Sequence, residues 1–263
     1  MSTSKLILDV NRRGVATLTL SRPDKGNALD GEMLTDMVAT LRRINDDPHV
    51  RVLVLRGSGR HFCTGADVGE IKSHDDAGPD TVGVSIATVC DVLNLCAKPT
   101  VAVVHGACLG GGLAIAACCD AVIASPDAFF AIPEVRLGFA PTLLMPFFLA
   151  ACGPRFLRRY LLSGERFDAK RAAQIGLVHD VLDPADFDAA LADLVESFLL
   201  AGPIAVANAK SALLAVGTAA EPASSRADAE AGSRRQAMID EAQEGAASFR
   251  EKRRPTWYPP VSP

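Results

Sequence analysis

Several features that would assign this chain to a familiar class are missing from its sequence. The seven cysteines include no C-x-x-C pair and are odd in number, so neither a disulfide framework nor a paired-cysteine metal site is indicated. No window approaches the roughly 18 to 20 uninterrupted apolar residues of a membrane span, and the first residues lack the apolar core of a signal peptide. We therefore predict a soluble, cytoplasmic protein with reduced, buried cysteines.

An excess of charge of one sign is also missing. The chain has 27 basic and 31 acidic residues, a net charge of -4, and a run of basic residues only at positions 250–254. This balance gives no general attraction to nucleic acid, so an anionic ligand would have to be bound locally. We expect neither nucleic acid nor membrane as a partner.

Four templates for ligand or catalytic sites are absent as well. The segment Gly106-x-x-x-Gly110 lacks the Lys-Ser/Thr of a P-loop, and no glycine lies three residues beyond Gly112 to complete a dinucleotide fingerprint. The five histidines show no ligand spacing, so we predict no metal site. The G-x-S-x-G motif of a serine hydrolase does not occur.

The apolar pattern alternates between strands and helices. A hairpin is predicted over residues 5–20, a helix capped by Asp30 follows, and residues 50–56 form a strand. Residues 101–104 form a second strand that runs through glycines into an alanine-rich helix. Further predictions are a polar surface loop at 72–80, a helix over 81–95, strands at 121–124 and 128–132, a buried helix at 142–151, a helix over 167–176 and a strand at 177–182.

From Pro184 onward the pattern is helical, in segments at 184–200, 204–214 and 225–247. The fold class is therefore α/β, with a core over residues 1–200 and a helical C-terminal annex over residues 201–263. The 263 residues, 49% of them hydrophobic, suffice for a large core.

Two glycine-flanked backbone segments and one glutamate remain as candidates for chemistry. Glycine lets a backbone approach another molecule closely, and the first turn of a helix has N–H groups without partners, so developing negative charge is favoured there. The triplet at 110–112 and the segment around Gly65 have this character. A glycine triplet alone fits a tightly packed turn equally well.

Segments in this order along the chain resemble the signatures of the crotonase (enoyl-CoA hydratase/isomerase) family. They are RPDKGNAL at 22–29, FCTGADV at 62–68, HGACLGGG at 105–112, IPEVRLG at 132–138 and FREK at 249–252. The resemblance implies a crotonase-like spiral of ββα turns with a helical C-terminal trimerisation region, assembled as a homotrimer or homohexamer. It implies an acyl-CoA thioester as substrate and no separate cofactor, because coenzyme A is part of the substrate.

The resemblance also implies roles for individual residues. The backbone N–H groups of Ala66 and Gly111 would hold the thioester oxygen, and Glu134 would act as acid and base. Asp67 has an equally good structural interpretation as a loop cap. The residues implied to contact substrate are Lys25, Gly26, Ala28, Thr64, Asp67, Val68, Gly110, Ala114 and Pro133, with Phe249 and Lys252 reaching the ligand of a neighbouring subunit.

The chain departs from the two-glutamate hydratases of the family at one position. Those enzymes carry a glutamate two positions after the glycine triplet, whereas this chain has Ala114 there. Gly111 and Ala114 are three residues apart on one helix, so we expect Ala114 to face the substrate without offering a proton. Glu134, next to Pro133 in an apolar setting, should have a raised pKa and could move a proton alone.

A second departure concerns the acyl pocket. Family members often follow Leu-Gly with a Pro-Gly-x-Gly-Gly turn, whereas residues 139–148 here are bulky and apolar. We predict an apolar pocket of different shape, with Arg136 and Thr142 as the nearest polar candidates.

Two functions remain open from the sequence. The first is an enzyme of the hydratase/isomerase type that uses Glu134 for double-bond isomerisation or hydration. The second is a member of the same family that binds acyl-CoA, or only its own subunits, without turnover, and Ala114 is the feature in its favour.

Overall fold

Parallel strands form the centre of the structure. The computed structural model describes residues 4–70, 84–218 and 240–260. The strands in these ranges are β1 (Leu6–Val10), β2 (Val15–Leu20), β3 (Val52–Gly57), β4 (Thr100–Val104), β5 (Ala107–Leu109), β6 (Ala121–Ala124), β7 (Phe129–Ala131), β8 (Phe167–Asp168) and β9 (Asp180–Val181). The larger sheet has the order β1-β2-β3-β4-β6-β9. The predicted antiparallel hairpin of β1 and β2 is confirmed, and the remaining pairs in this sheet are parallel.

A second, smaller layer of backbone pairing lies beside this sheet. It contains the strands β5, β7 and β8. Two isolated parallel bridges extend this layer, one between Cys63 and Cys108 and one between Leu29 and Ala66. After β3 and β4, and again after β6, the chain adds a short segment to this layer. A helical element follows each short segment, so the chain winds as a spiral of similar turns.

The helices in the described ranges pack around both layers. They are α1 (Gly31–Asp46), α2 (Ile86–Asn94), α3 (Gly111–Ala117), α4 (Met145–Cys152), α5 (Pro154–Ser163), α6 (Ala169–Gln174), α7 (Phe187–Leu200), α8 (Pro203–Thr218) and α9 (Asp240–Glu251). Short 3-10 turns include Pro133–Leu137 and Thr142–Leu144. The helices predicted after Pro184 are confirmed as α7, α8 and the described part of α9, whereas residues 252–260 form turns and irregular backbone.

The larger sheet is buried on both faces. In β3, Leu53 and Leu55 join the main hydrophobic cluster with residues of α1, α2 and α3. Val52 and Val54 lie in a second cluster with α7 and Tyr258. Parallel strands covered on both sides read as continuous apolar runs, which is the pattern of residues 50–56 and 101–104.

A partly buried polar contact connects the elements at the second face. Arg13, in the β1–β2 turn, donates hydrogen bonds to Glu196 of α7 (2.8 Å) and to the hydroxyl of Tyr258 (2.7 Å). The hydroxyl of Tyr258 in turn donates to Glu196. Segments far apart in sequence therefore close over the same side of the sheet.

Some elements differ from the sequence prediction. Helix α5 has no counterpart in it, although Phe156, Leu157, Tyr160 and Leu161 form a buried face. The buried helix predicted at 142–151 is a 3-10 turn followed by α4, with one face of Leu144, Phe148 and Cys152 buried.

Other predictions are only partly tested. The strand predicted at 177–182 is the two-residue β9, and the helix predicted over 81–95 corresponds to α2. The predicted loop at 72–80 and residues 225–239 lie outside the described residues.

The seven cysteines are free and buried, as predicted, and burial raises the pKa of the Cys63 thiol to about 12. In the described part of the chain, no single helix is long and apolar enough to span a bilayer. The segments Pro184–Leu200 and Pro203–Ala215 meet a length and composition test only as a pair bent by 99°.

Asp30 links the start of α1 to the N-terminal strands. Its carboxylate accepts a hydrogen bond from Met33 N (2.8 Å) as the predicted helix cap, and it pairs with Lys5 (2.8 Å) and Arg22 (3.1 Å). Burial alone would raise the pKa of Asp30. The hydrogen bonds from Lys5 and Met33, with the charge of Arg22, outweigh burial and lower this pKa.

Replacing Asp30 by Asn should destabilise the protein. The amide keeps the cap but leaves Lys5 and Arg22 without their buried counter-charge, so we expect the free energy of unfolding at pH 7 to fall by about 2 kcal/mol. Because the pKa of Asp30 is lower in the folded than in the unfolded protein, its ionised form stabilises the fold at pH values above the unfolded-state pKa. This stabilisation is lost as pH falls through the folded-state pKa. Urea unfolding should therefore show wild type and D30N converging in acid. Glu32→Gln, which removes the exposed partner of Lys5, should have little effect.

Candidate functional site

The two glycine-flanked segments predicted to carry chemistry lie side by side. Leu109 N donates to Cys63 O (2.9 Å), which pairs the end of β5 with the segment that leads to Gly65. A β-carbon added to Gly65 would lie 3.6 Å from Gly111 N. The layer of short strands therefore brings residues 65 and 111 together although they are far apart in sequence.

Two backbone N–H groups are free at this junction. Leu29 N donates to Gly65 O (2.8 Å) and Asp67 N donates to Leu29 O (2.9 Å), so the intervening N–H of Ala66 points away from Leu29. Gly111 is the first residue of α3, where an N–H has no acceptor within the helix. Within the described ranges, neither N–H donates a hydrogen bond.

The carboxylate of Glu134 lies against the same junction. Glu134 belongs to the 3-10 turn that follows β7 and begins at Pro133. Gly110 N donates to Ala131 O (2.9 Å), which fixes the glycine triplet beside this turn. A β-carbon on Gly110 would collide with Oε1 of Glu134 and lie 3.0 Å from its carboxyl carbon. Gly110 also has φ +48°, a conformation that favours glycine.

Glu134 has the electrostatics of a proton carrier. Its Oε2 is buried and has no hydrogen-bond partner among the described residues. Burial raises the pKa of this carboxyl, because the charged form loses solvation. A buried acid without a counter-charge is costly to the fold, and such groups are characteristic of functional sites.

The residues implied to line the coenzyme side cluster beside Gly65. Thr64 N donates to Gly26 O (3.0 Å) and the Thr64 hydroxyl donates to Lys25 O (3.3 Å). Ala28 is buried and Val68 is exposed on the following turn. These residues therefore lie close together, and their contact with a ligand stays a prediction.

Asp67 has the structural role that the sequence left open. It accepts hydrogen bonds from Arg22 (2.9 Å) and from Gly69 N (3.1 Å). The hydrogen bond from Arg22 is the main cause of the lowered pKa of Asp67. Its carboxylate is therefore held ionised by the fold.

Ala114 lies in α3, three residues beyond Gly111, and the other predicted contacts lie in elements farther along the chain. Ala114 has no exposed surface and packs in the main cluster, so it presents no open face to a ligand here. Arg136 donates to Ser163 O (2.9 Å) at the end of α5. Phe249, 85% exposed, lies in α9, and Lys252 follows that helix. Their contact with a neighbouring subunit stays a prediction.

The sequence analysis missed two residues that shape this site. Arg22 joins Asp30 to Asp67, and a long-range ion pair of this kind leaves no periodic signal. Ile86, at the start of α2, lies so close to Gly111 that a β-carbon there would be 2.6 Å from its Cδ1. The only sequence feature that could have indicated the position of Ile86 is Ser85, the cap residue that fixes the start of α2.

Comparison with known proteins shows the family of this chain. A sequence model of the enoyl-CoA hydratase/isomerase family matches residues 11–259. The (E)-benzylidenesuccinyl-CoA hydratase of Thauera aromatica is 35% identical over 207 residues, covering 75% of this chain and 78% of the relative. Among solved structures, Pseudomonas aeruginosa AtuE has a TM-score of 0.91 at 34% identity, covering 97% of this chain and 100% of that chain. An enoyl-CoA hydratase from Shewanella pealeana has a TM-score of 0.90 at 31% identity, covering 97% and 96%.

The chain therefore belongs to the enoyl-CoA hydratase/isomerase, or crotonase, family, and the predicted crotonase-like α/β fold is confirmed. Enzymes of this family act on CoA thioesters.

Gly110→Ala tests how the glycine triplet seats Glu134. The added methyl group must displace the carboxylate, and a displacement of about 1 Å at a reacting group typically costs a hundredfold in rate. We expect kcat/KM to fall by at least that factor. Gly176→Ala is the matched control, because it has φ +81° with no atom within 4 Å of an added β-carbon. It should show a similar backbone penalty in thermal unfolding with full activity, and equal activity losses in both variants would contradict this view.

Proposed function

We propose that this protein isomerises the double bond of an enoyl-CoA thioester, with Glu134 as the acid and base. The observation that carries the proposal is the position of the Glu134 carboxylate against Gly110, with its Oε2 buried and unpartnered, beside the segments that bear the free N–H groups of Ala66 and Gly111. Moving a double bond between the 3- and 2-positions requires a proton to leave the α-carbon and one to return at the γ-carbon. One carboxylate can do both.

The backbone supplies the electrostatic part of the reaction. When Glu134 takes the α-proton, negative charge moves onto the thioester oxygen, and donors fixed at that oxygen stabilise it. Loss of one such donor typically costs about 3 kcal/mol in barrier height. The protonated Glu134 then returns its proton to the γ-carbon, and the enolate collapses to the conjugated 2-enoyl thioester.

Hydration is the second candidate, and the name of the Thauera relative favours it. Adding water in the two-carboxylate manner needs a second acid or base at the junction. Ala114 stands where the resemblance places that group, and Asp67 is bound to Arg22. Hydration would therefore need a fixed water or another group, which makes isomerisation the simpler chemistry for this site.

Assembly as a homotrimer or homohexamer accompanies this proposal. Leu200, Ile204, Leu213 and Phe249 expose large apolar surfaces on α7, α8 and α9. Such surfaces favour contact with another protein. Light scattering after gel filtration should give a mass of three or six chains, and a monomeric mass would contradict the assembly.

The reaction is tested with a panel of 2-enoyl and 3-enoyl CoA thioesters, with the isomers separated by liquid chromatography before mass spectrometry. Isomerisation predicts interconversion without a change in mass, whereas hydration adds the mass of water. Glu134→Gln should lower kcat by about a thousandfold, because the amide cannot carry the proton. Unchanged turnover in E134Q would exclude the mechanism, and binding of CoA esters without turnover by wild type would favour the non-catalytic alternative.

The raised pKa of Glu134 predicts the pH dependence of that reaction. The base must be ionised in the free enzyme, so kcat/KM should fall tenfold per pH unit below this pKa, which lies above that of an ordinary glutamate. Because the pKa of Glu134 is higher in the folded than in the unfolded protein, ionisation of this group destabilises the fold. This loss of stability develops as pH rises from the unfolded-state pKa through the folded-state pKa. E134Q should therefore unfold at a higher temperature than wild type at pH 7 while being inactive.

A further inference from the structure

A concave basic surface lies on the far side of β7 from the catalytic junction. Two adjoining depressions, each of about 500 Å³, share Tyr160 and Arg171. Arg166 lines the first, and Arg155 and Arg159 line the second. We refer to these four arginines and Tyr160 as the arginine cleft.

The charge of this surface is opposite to that of the chain. Residues 154–171 carry six basic and two acidic side chains, whereas the whole chain has a net charge of -4. Only the basic run at 250–254 is apparent from the sequence, because the arginines of the cleft are spread over α5, the loop that follows it and α6.

Most of the positive charge in the cleft is not neutralised. Arg159 pairs with Glu165 (2.7 Å). The carboxylate of Asp168, the other acid, accepts a hydrogen bond from the backbone N–H of Arg171 (2.7 Å). In the ranges that the structure describes, Arg155, Arg166 and Arg171 have no acidic partner. Three guanidinium groups therefore have no counter-charge, although that of Arg171 donates one hydrogen bond to Oε1 of Gln174 (2.9 Å).

Aromatic rings hold two of these guanidinium groups in place. Arg166 lies 4.6 Å above the ring of Phe129, and Arg171 lies 5.8 Å from the ring of Phe156. The ring of Phe156 stacks on that of Tyr160 at 4.2 Å, which makes the floor rigid. Positioned guanidinium groups with several free N–H donors suit phosphate oxygens better than a single carboxylate.

The cleft also lies close to the segment implied to bind coenzyme. The ring of Phe129, beneath Arg166, is 6.4 Å from that of His61. A β-carbon on Gly26 would lie 3.5 Å from Cδ2 of His61. One row of contacts therefore connects Gly26 to Arg166.

We propose that the arginine cleft binds a phosphate-bearing anion of nucleotide size. The volume of the depressions is in the range of small-molecule sites, and the unpaired guanidinium groups match several phosphates. Two sources share this chemistry: the nucleotide end of a CoA thioester, or a free nucleotide. The first source rests on the proposed function, and the second does not.

Calorimetric titration of the full-length protein with adenosine 3′,5′-bisphosphate, coenzyme A and pyrophosphate tests the cleft without turnover. Arg166→Gln and Arg171→Gln should each weaken nucleotide binding by about tenfold, the size expected for a charge-assisted hydrogen bond. Arg158→Gln is the matched control, because Arg158 is exposed on α5 but lines neither depression. Thermal unfolding verifies that the variants fold.

The results distinguish three cases: binding of the nucleotide end of the substrate, binding of a free nucleotide, and no specific binding in the cleft. A higher KM for the acyl-CoA substrate in R166Q, with kcat unchanged, assigns the cleft to the nucleotide end of the substrate. Weakened binding of adenosine bisphosphate with an unchanged KM assigns it to a free nucleotide. Absence of binding by wild type, or equal weakening by R158Q, would overturn the proposal. The titration decides whether the cleft binds a nucleotide even if the isomerase assay fails, and the KM comparison then assigns the source.

Discussion

Backbone pairing between short segments of different turns is the constraint on which the site depends. The bridge between Cys63 and Cys108 stacks one turn of the chain on the next. Gly112 sits directly on it, since a β-carbon there would lie 2.7 Å from the carbonyl oxygen of Cys63. Any larger residue would separate the segments that bear Ala66 and Gly111. The spacing of the two N–H donors is therefore set by main-chain contacts, which give fixed positions without the freedom of side chains.

Polar groups without hydrogen-bond partners lie close together at the junction of the two glycine-flanked segments. The free N–H of the buried Gly111 and the unpartnered Oε2 of Glu134 lie there, and a polar group is costly to bury without a hydrogen bond, whereas Ala66 is exposed. The surrounding fold supplies the stability that offsets these costs. Asp30 and Arg22 form an ion pair with each other near the junction. The two hydrophobic clusters cover both faces of the sheet.

Local signals in the sequence predicted much of the fold. The alternation in β1 and β2, the cap at Asp30 and the passage from β4 through glycines into α3 each follow from a few neighbouring residues. Elements that depend on distant partners were harder to predict. The three-residue β5 is too short for a pattern, and α5 has an apolar face that only packing against Phe167 makes plain. The sequence likewise predicted an apolar setting and a raised pKa for Glu134, whereas the proximity of Ile86 to Gly111 follows from three-dimensional packing.

The contact between Arg13 and Tyr258 has a consequence for the order in which the protein folds. The two residues are separated by 245 positions, so the second face of the sheet is covered only when opposite regions of the chain meet. Contacts of such long range form slowly because a large loop must close first. Until then Val52, Val54, Val101 and Val103 present a continuous apolar surface of parallel strands. This valine surface is where chaperones or premature association would act during biosynthesis.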